Sequence, residues 1–211
     1  MKKNKIVLVG GGGHCKVLID AIQKQGLFEI AGITDKNNAG GKVLGIEVIG
    51  SDEMLKQMPG SGCKNAFVAV ALGNVTLRRD LYKLLKSLGF ELPVIVHPSA
   101  VVAQEVKIGE GTFIAAGVVV GPGTTIGANV ILNTGARLDH DCAVGDFVHI
   151  APGAVLSGGV CVGDGAHVGA GAVVIGYKKI GSNTVIGAGS VVLEDIPEGV
   201  TAYGVPCKIK I

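Results

Sequence analysis

Residues 126–144 read IGANVILNTGARLDHDCAV, and a branched aliphatic residue stands at every sixth position of this stretch. The same spacing continues in both directions without an insertion, and each of its seventeen positions is Val, Ile or Leu. These positions are Val96, Val102, Ile108, Ile114, Val120, Ile126, Leu132, Leu138, Val144, Ile150, Leu156, Val162, Val168, Val174, Ile180, Ile186 and Val192. A strict period of this kind predicts a β-helix of hexapeptide repeats, each giving one short strand and one corner.

The repeat also predicts which residues are neighbours in space. Three hexads complete one triangular coil of 18 residues, and coils stack at strand spacing, about 4.8 Å, so residues 18 apart lie above one another. The fourth residue after each aliphatic position is mostly Ala, Thr, Ser or Cys, which predicts a cramped inward position. Lys178 takes such a position, so we expect a local bulge at residues 177–179, where the side chains meet either a phosphate or solvent.

Composition excludes several classes of protein. Of the 211 residues 35 are Gly, aromatic residues make up 4%, and the formal net charge is +2. A near-neutral chain lacks the electrostatic footprint of a nucleic-acid-binding protein, and the apolar runs are too short to predict a membrane span. The five cysteines are odd in number and form no C-x-x-C pair. This usage favours a reducing cytoplasm and argues against a zinc site or a disulfide framework.

The first 93 residues follow a different pattern, in which strand and helix signals alternate. The predicted elements are strands at residues 6–9, 30–33 and 67–72, a hairpin piece at 43–49, helices at 14–25 and 74–88, and a short helix capped by Ser51 or Asp52. Such alternation indicates a small parallel sheet. We therefore expect an α/β Rossmann-like domain over residues 1–93, followed by an all-β parallel β-helix over residues 94–211.

Four glycines, at residues 10–13, lie in the turn between the first predicted strand and helix. Such a turn offers backbone N–H groups to a phosphate or another anion. Cys15 replaces the last glycine of a G-x-G-x-x-G motif, so the signal for a dinucleotide is weak. Asp35 ends the second strand, where ribose contacts occur in such folds. A helix-packing turn and a turn-forming Asp explain both features equally well.

The 18-residue period places a histidine and a carboxylate beside bare backbone. His140 shares a column with Gly158, and Asp141 shares the next column with Gly159. Both side chains occupy a hexad corner and should point outward. A base near neutral pKa, a group that orients it and a free N–H donor are what acyl transfer needs. Taken alone, such a pair is more often a solvated surface pair.

Two further columns are candidate binding surfaces. His149 and His167 share one column, which indicates either a metal site or outward-facing polar residues. Pro152, Ala170 and Ala188 share another, which would form a smooth groove for a long, thin ligand.

Several motifs resemble those of a known family. The repeat resembles the left-handed β-helix of the hexapeptide acyltransferases. The motifs that narrow the resemblance are GGGGH at 10–14, HPSA at 97–100, NTGA at 133–136, DHDC at 139–142, IGAGSVV at 186–192 and YGVPCK at 203–208. Together they resemble the sialic acid O-acetyltransferase and bacillosamine/perosamine N-acetyltransferase group, whose members modify sugars with acetyl-CoA.

The resemblance implies roles for individual residues. His140 matches the general base, Asp141 matches the acidic neighbour that raises its basicity, and Gly158 matches a backbone donor to the thioester carbonyl. The other matches are His149 near the acetyl end of acetyl-CoA, Ala170 and Ala188 along the CoA groove, and Gly12, Gly13, His14, Asp35 and Lys36 at the nucleotide sugar. Cys15 departs from the small residue usual after that histidine, which affects the expected shape of the sugar pocket.

The resemblance further implies a cytoplasmic, metal-free homotrimer with acetyl-CoA between neighbouring β-helices. The expected reaction is N-acetylation of a nucleotide-linked amino sugar of the UDP-4-amino-sugar type. O-acetylation of sialic acid or a related sugar needs the same base and is the alternative. A β-helix metalloenzyme of the carbonic anhydrase type is more distant, because three histidines around one ion fit poorly with spacings of 9 and 18. A non-enzymatic structural or binding β-helix is the third reading.

Overall fold

The structure is a computed structural model that describes residues 3–58, 60, 62–69 and 75–210. The chain forms two compact units, Met1–Pro98 and Ser99–Ile211, whereas the sequence pattern placed the boundary after residue 93. Within the described residues, neither helix is long and apolar enough to cross a membrane.

The first unit is built on a five-stranded sheet. Its elements are β1 (Asn4–Val9), α1 (Gly13–Gln25), β2 (Phe28–Thr34), β3 (Lys42–Val43), β4 (Ile46–Gly50), a 3₁₀ helix (Asp52–Gln57), β5 (Asn65–Val68) and α2 (Val75–Ser87). The strand order is β3-β4-β2-β1-β5, with β3 antiparallel to β4 and the other pairs parallel. This alternation of parallel strands and helices confirms the predicted Rossmann-like class.

Both faces of this sheet are covered where residues 6–9 of β1 are apolar in succession. Val7 and Val9 pack with Leu81 and Leu85 of α2 in one buried cluster. The intervening side chains of β1 point to the opposite face, since neighbouring residues of a strand alternate. They are also fully buried. Burial on both faces leaves the carboxyl ends of the strands as the edge where a ligand can bind.

The predicted boundaries of the helices hold closely in this unit, whereas the strand predicted at residues 67–72 is observed at Asn65–Val68, so its predicted position was too late in the chain. Helix α1 ends where Gly26 adopts φ 73°, and the Gly26 N–H donates to the carbonyl of Ile22 at 3.0 Å. The hairpin and the short 3₁₀ helix are present, with Ser51 at the N-cap position but without a side-chain cap. The predicted start of α2 at Asn74 and residues 70–72 of the predicted strand lie outside the described residues.

The hexapeptide prediction is confirmed along its whole length. Each of the seventeen aliphatic positions is the second residue of a two-residue strand. These strands are β6 (Ile95–Val96), β7 (Val101–Val102), β8 (Lys107–Ile108), β9 (Phe113–Ile114), β10 (Val119–Val120), β11 (Thr125–Ile126), β12 (Ile131–Leu132), β13 (Arg137–Leu138), β14 (Ala143–Val144), β15 (His149–Ile150), β16 (Val155–Leu156), β17 (Cys161–Val162), β18 (His167–Val168), β19 (Val173–Val174), β20 (Lys179–Ile180), β21 (Val185–Ile186) and β22 (Val191–Val192). Two more strands, β23 (Thr201–Tyr203) and β24 (Lys208–Ile209), form an antiparallel pair at the end of the chain.

The second unit is a triangular parallel β-helix with three faces. The first face contains β7, β10, β13, β16, β19 and β22, and the second contains β8, β11, β14, β17 and β20. The third contains β9, β12, β15, β18, β21 and β23. Residues 18 apart are paired, as in Arg137 with Val155 and His149 with His167. The predicted columns are therefore the real ones in these coils.

The prediction for the segment around Lys178 is wrong. The expected bulge at residues 177–179 is absent, since Cys161 pairs with Lys179 and Val162 with Ile180 in unbroken register. Lys178 is half-buried and its carbonyl accepts a hydrogen bond from the Cys161 N–H at 2.9 Å. A long, flexible stem can pass from a cramped position to solvent without displacing the backbone.

Candidate active site

His140 and Asp141 form a hydrogen-bonded dyad at the corner between the first and second faces. The distance between His140 Nδ1 and Asp141 Oδ2 is 2.8 Å. Asp141 adopts φ 58°, a left-handed conformation that Asp tolerates better than most residues. The corner follows β13 directly and turns both side chains into solvent, where both are exposed.

The charge around the dyad favours the protonated imidazole. The hydrogen bond that His140 donates to the Asp141 carboxylate raises the pKa of His140, and the negative charge of Asp139 raises it further. Asp139 is held in place because its Oδ1 accepts a hydrogen bond from the His140 N–H at 2.8 Å. Because Asp141 accepts the proton on Nδ1, Nε2 is the nitrogen left to act as a base. Asp139 was part of a quoted motif, but the effect of its charge on His140 was not anticipated.

The imidazole of His140 lies directly against Gly158 in the next coil. A Cβ at residue 158 would lie 2.5 Å from His140 Cε1 and 3.1 Å from Cδ2, so glycine makes room for the ring. The ring in turn covers Gly158, which is buried. Within the described part of the chain, the Gly158 N–H donates to no carbonyl, whereas the Gly159 N–H donates to His140 O at 2.9 Å.

Tyr177 flanks the same surface from the following coil. Its ring occupies the space beside Gly159, where a Cβ would lie 2.6 Å from Tyr177 Cε1. Tyr177 has φ 59° and is 75% exposed. The imidazole at Gly158 and the phenol ring at Gly159 therefore lie side by side against consecutive residues of one coil. The 18-residue period places Tyr177 in the same column as Asp141 and Gly159, but it does not indicate where the tyrosine ring points.

His149 lies on the third face and is buried, with 2% of its surface exposed. Asn133 Oδ1 accepts a hydrogen bond from the Thr134 N–H at 2.9 Å, so the Asn133 amide group faces His149 Nε2 at 3.3 Å. This contact makes Nε2 an acceptor and places the imidazole proton on Nδ1. Asn133 was part of a quoted motif, but its role in orienting His149 was not anticipated.

His167 packs against His149 in the same column. The two ring centroids are 4.9 Å apart with an interplanar angle of 56°, and burial lowers the pKa of His167. Among the described residues, no three His, Cys, Asp or Glu side chains are grouped as metal ligands. His149 is buried, and His167 in the same column is half-buried, so neither side chain is the freely solvated residue that the alternative to a metal site supposed.

The residues matched to the CoA groove occupy a different corner of the β-helix. Ala170 and Ala188 lie between the third and first faces and are exposed, as is Pro152 in the same column. The column is continuous, because the Gly189 N–H donates to the Ala170 carbonyl and the Gly171 N–H to the Pro152 carbonyl. The first face separates this corner from the dyad, so one chain does not bring Ala170 and His140 together.

In the first unit, the glycine-rich turn is held by Asp35. The Gly11 N–H donates to Asp35 Oδ2 at 2.7 Å, and the Asn37 N–H donates to Asp35 Oδ1 at 2.8 Å. Gly10 has φ 104°. A Cβ at Gly12 or at Gly13 would meet no atom within 4 Å, so neither internal packing nor a positive φ requires glycine there. The space in front of these two residues is open.

His14 and Cys15 lie in the first turn of α1, next to the glycine-rich turn. His14 is half-buried, and its pKa is lowered to about 4 by burial and by the positive charge of Arg78. Cys15 is fully buried, and burial followed by the charge of Asp35 raises its pKa to about 12. The Cys15 thiol therefore belongs to the core of the unit.

Comparison with known proteins extends over the whole chain. Residues 5–85 match the PglD N-terminal domain, and residues 105–140 and 121–158 match the bacterial transferase hexapeptide (six repeats). A solved structure of a GDP-perosamine N-acetyltransferase variant from Caulobacter crescentus, in complex with CoA and GDP-perosamine, is 42% identical. Its TM-score is 0.95, with 99% of this chain and 97% of that chain covered. The chain belongs to the bacillosamine/perosamine N-acetyltransferase family.

Other members of the family are similarly close. The acetyltransferase domain of PglB from Neisseria gonorrhoeae is 38% identical, with a TM-score of 0.93 over 99% of this chain and 100% of that chain. The UDP-N-acetylbacillosamine N-acetyltransferase of Bacillus subtilis is 38% identical over 114 residues, which is 53% of this chain and 51% of that protein. The chain thus spans about half the length of this curated relative. Membership also gives the hand of the β-helix, which is left-handed.

Proposed function

We propose that this protein transfers the acetyl group of acetyl-CoA to the amino group of a nucleotide-linked amino sugar. The observation that carries the proposal is the dyad, with its 2.8 Å contact and the His140 ring against Gly158. Family membership supports the reaction class, since the similar proteins are named as N-acetyltransferases of UDP- and GDP-linked sugars.

His140 is the general base and Asp141 its positioning residue. The neutral amine of the sugar attacks the thioester carbon, and its proton passes to His140 Nε2 as the C–N bond forms. The Gly158 N–H stabilises the oxyanion of the tetrahedral intermediate. The C–S bond then breaks, and His140 returns the proton to the thiolate sulfur of CoA. The products are the amide and free CoA thiol, with His140 restored.

Asp141 determines which nitrogen of His140 accepts the proton from the substrate. Its carboxylate accepts the Nδ1 proton, so the neutral imidazole presents the Nε2 lone pair to the substrate. The same contact raises the pKa of His140, which makes it a stronger base once it is deprotonated. Asp139 adds to the negative charge and stabilises the imidazolium formed during the transfer.

Acetyl-CoA lies between neighbouring β-helices of a homotrimer. The support is a largely apolar stripe on the first face, in which Val101, Val119, Val155, Val173 and Val191 are exposed or half-buried and which exposed Arg137 interrupts. Such a stripe is typical of an interface. This face separates the corner of His140 from that of Ala170 and Ala188, so packing it against a second copy can bring the two corners together. Sedimentation equilibrium at three times the chain mass would support the trimer.

The first unit binds the nucleotide sugar. The N–H groups of Gly12 and Gly13 face open space at the N-terminus of α1. Backbone donors and the helix dipole favour a diphosphate at such a position. His14 is neutral near pH 7 and can donate a hydrogen bond to the same group. Asp35 and Lys36 lie at the end of β2, where ribose contacts are expected. Since acetyl-CoA and activated sugars are cytoplasmic metabolites in this scheme, we assign the protein to the cytoplasm.

The experiment is release of CoA thiol from acetyl-CoA with a panel of UDP-, GDP- and TDP-linked amino sugars. We expect His140→Ala to lower kcat by about 10²–10⁴-fold on the preferred substrate. Ser182→Ala is the matched control, because Ser182 precedes left-handed Asn183 as His140 precedes left-handed Asp141. Full activity in His140→Ala would refute the assignment of the base, and no turnover of any panel member would refute the proposed reaction.

A further inference from the structure

The described residues of the first unit enclose a cleft beside Asp35, and most of the residues that line it have no role in the proposed mechanism. Its volume is about 160 Å³. It is lined by Val9, Gly10, Thr34, Asp35, Lys36, Asn37, Asp52, Leu77 and Leu81. Pockets for whole drug-sized ligands are about 300–1,000 Å³, so this cleft suits one moiety of a larger ligand.

The sheet topology places the cleft where the base of a nucleotide bound along the carboxyl edge of the sheet would lie. In the sheet, β1 neighbours β2 and β2 neighbours β4, and all three run parallel. The glycine-rich turn follows β1, Asp35 follows β2, and Asp52 follows β4 by two residues. A nucleotide with its diphosphate at the turn and its ribose at Asp35 therefore extends its base toward Asp52.

The carboxylate of Asp52 lies at that end, and one of its oxygens already accepts a hydrogen bond. The Thr34 hydroxyl, which is fully buried, donates to Asp52 Oδ1 at 2.8 Å. Within the described residues, Asp52 Oδ2 and the side chains of Lys36 and Asn37 make no hydrogen bond or ion pair. The cleft thus presents a fixed acceptor together with an ammonium and an amide.

We propose that this cleft binds a guanine base and that Asp52 is the residue that selects it. This inference rests on the proposed function, because it names the nucleotide of the same substrate. Guanine carries two adjacent donors, N1–H and the N2 amino group, which match the two oxygens of a carboxylate. Such charge-assisted paired hydrogen bonds are stronger and more directional than single ones. The ammonium of Lys36 or the amide of Asn37 can donate to guanine O6.

Pyrimidine bases fit the same groups poorly. The edge of uracil or thymine has one N–H between two carbonyl oxygens, so a carboxylate that accepts the N–H also faces an oxygen lone pair. Adenine and cytosine present a single amino donor beside a ring acceptor. A site built around an acceptor discriminates against ligands that leave it unpaired.

The test is the affinity of the full chain for GDP and for UDP, measured by isothermal titration calorimetry. We expect the wild type to bind GDP about 10- to 100-fold more tightly than UDP. Asp52→Asn keeps the hydrogen bond from Thr34 but replaces one acceptor by a donor. It should lower the affinity for GDP by a similar factor and leave that for UDP unchanged or improved. Glu53→Gln, at the exposed neighbouring residue, is the control and should alter neither affinity.

Equal affinities in the wild type, a preference for UDP, no binding of either nucleotide, or an equal loss of both in Asp52→Asn would each overturn the inference. Thiol release separates it from the proposed function. Selective GDP binding without acetyl transfer would refute the reaction and leave the guanine site standing. Acetyl transfer that favours a UDP-linked amino sugar would refute the guanine site and leave the reaction standing.

Discussion

Gly158→Ala tests the proposed geometry without touching a titratable group. The new methyl carbon would lie 2.5 Å from His140 Cε1, and carbon atoms do not approach below about 3.0 Å without displacement. The exposed imidazole can move, whereas the backbone at residue 158 is held by its coil. We therefore expect the ring to swing outward by roughly 1 Å and to lose its 2.8 Å contact with Asp141.

We expect Gly158→Ala to lower the catalytic rate much more than the stability of the fold. A misplacement of roughly 1 Å can reduce the rate about 10²-fold, which corresponds to about 2.7 kcal/mol of lost transition-state stabilisation. Stability should change by less than about 1 kcal/mol, because the ring moves into solvent and Gly158 does not have a positive φ. Gly176→Ala, one coil further along the column, is the control, since its Cβ would approach only Gly158 O, at 3.2 Å.

The assay is thiol release at saturating acetyl-CoA, with melting temperature measured in parallel. A double-mutant cycle with His140→Ala identifies the route of the effect. If Gly158→Ala acts by displacing the imidazole, adding it to His140→Ala should cause no further loss of kcat. Wild-type activity in Gly158→Ala would refute the argument from geometry. A fully multiplicative loss in the double variant would show that residue 158 acts independently of the ring.

Two further predictions concern titration. Asp141→Asn should lower kcat by about 10²–10⁴-fold, since an amide can donate to His140 Nδ1 and hold the wrong tautomer. Because Asp141 raises the pKa of His140, the acidic limb of kcat/KM should also move to lower pH in this variant, and an unmoved limb would contradict the assigned dyad. His14 has a folded pKa of about 4 against 6.5 when unfolded, so its contribution is present above pH 6.5 and is lost as the pH falls toward 4. Denaturant unfolding at pH 7 and pH 4.5 should show a decrease of up to about 3 kcal/mol that is smaller in His14→Gln, and an identical decrease in both proteins would refute it.

The β-helix could be predicted almost completely from the sequence because one rule governs it. Every coil repeats the same inward aliphatic residue, and a shift by one residue would turn all of these side chains to solvent. The register, the columns and the proximity of His140 to Gly158 all follow from that rule. Lys178 shows where this rule fails. The rule considers only the size of the side chain that fits at a position, and it ignores that a flexible side chain can extend from a cramped position to solvent.

The site was less predictable where it depends on rotation about single bonds. Periodicity places Asp141 beside His140, but the 2.8 Å contact also requires the left-handed backbone and one particular side-chain rotamer. The same holds for Asn133, whose amide orientation is set by the Thr134 N–H. In the first unit, the hydrogen bond of Asp52 with Thr34 joins residues 18 apart through sheet topology, which no local pattern encodes.

The corner of a β-helix explains why base and orienting group can be consecutive residues. In a strand, neighbouring side chains point to opposite faces, so His140 and Asp141 could not meet there. A left-handed residue turns the chain from one face to the next and brings the second side chain round to the first. The equivalent residues in this column are Gly123, Gly159 and Tyr177, and each also has a positive φ. A positive φ at this corner is therefore shared by four successive coils, and the dyad arises in the one where His precedes Asp and the next coil offers a glycine.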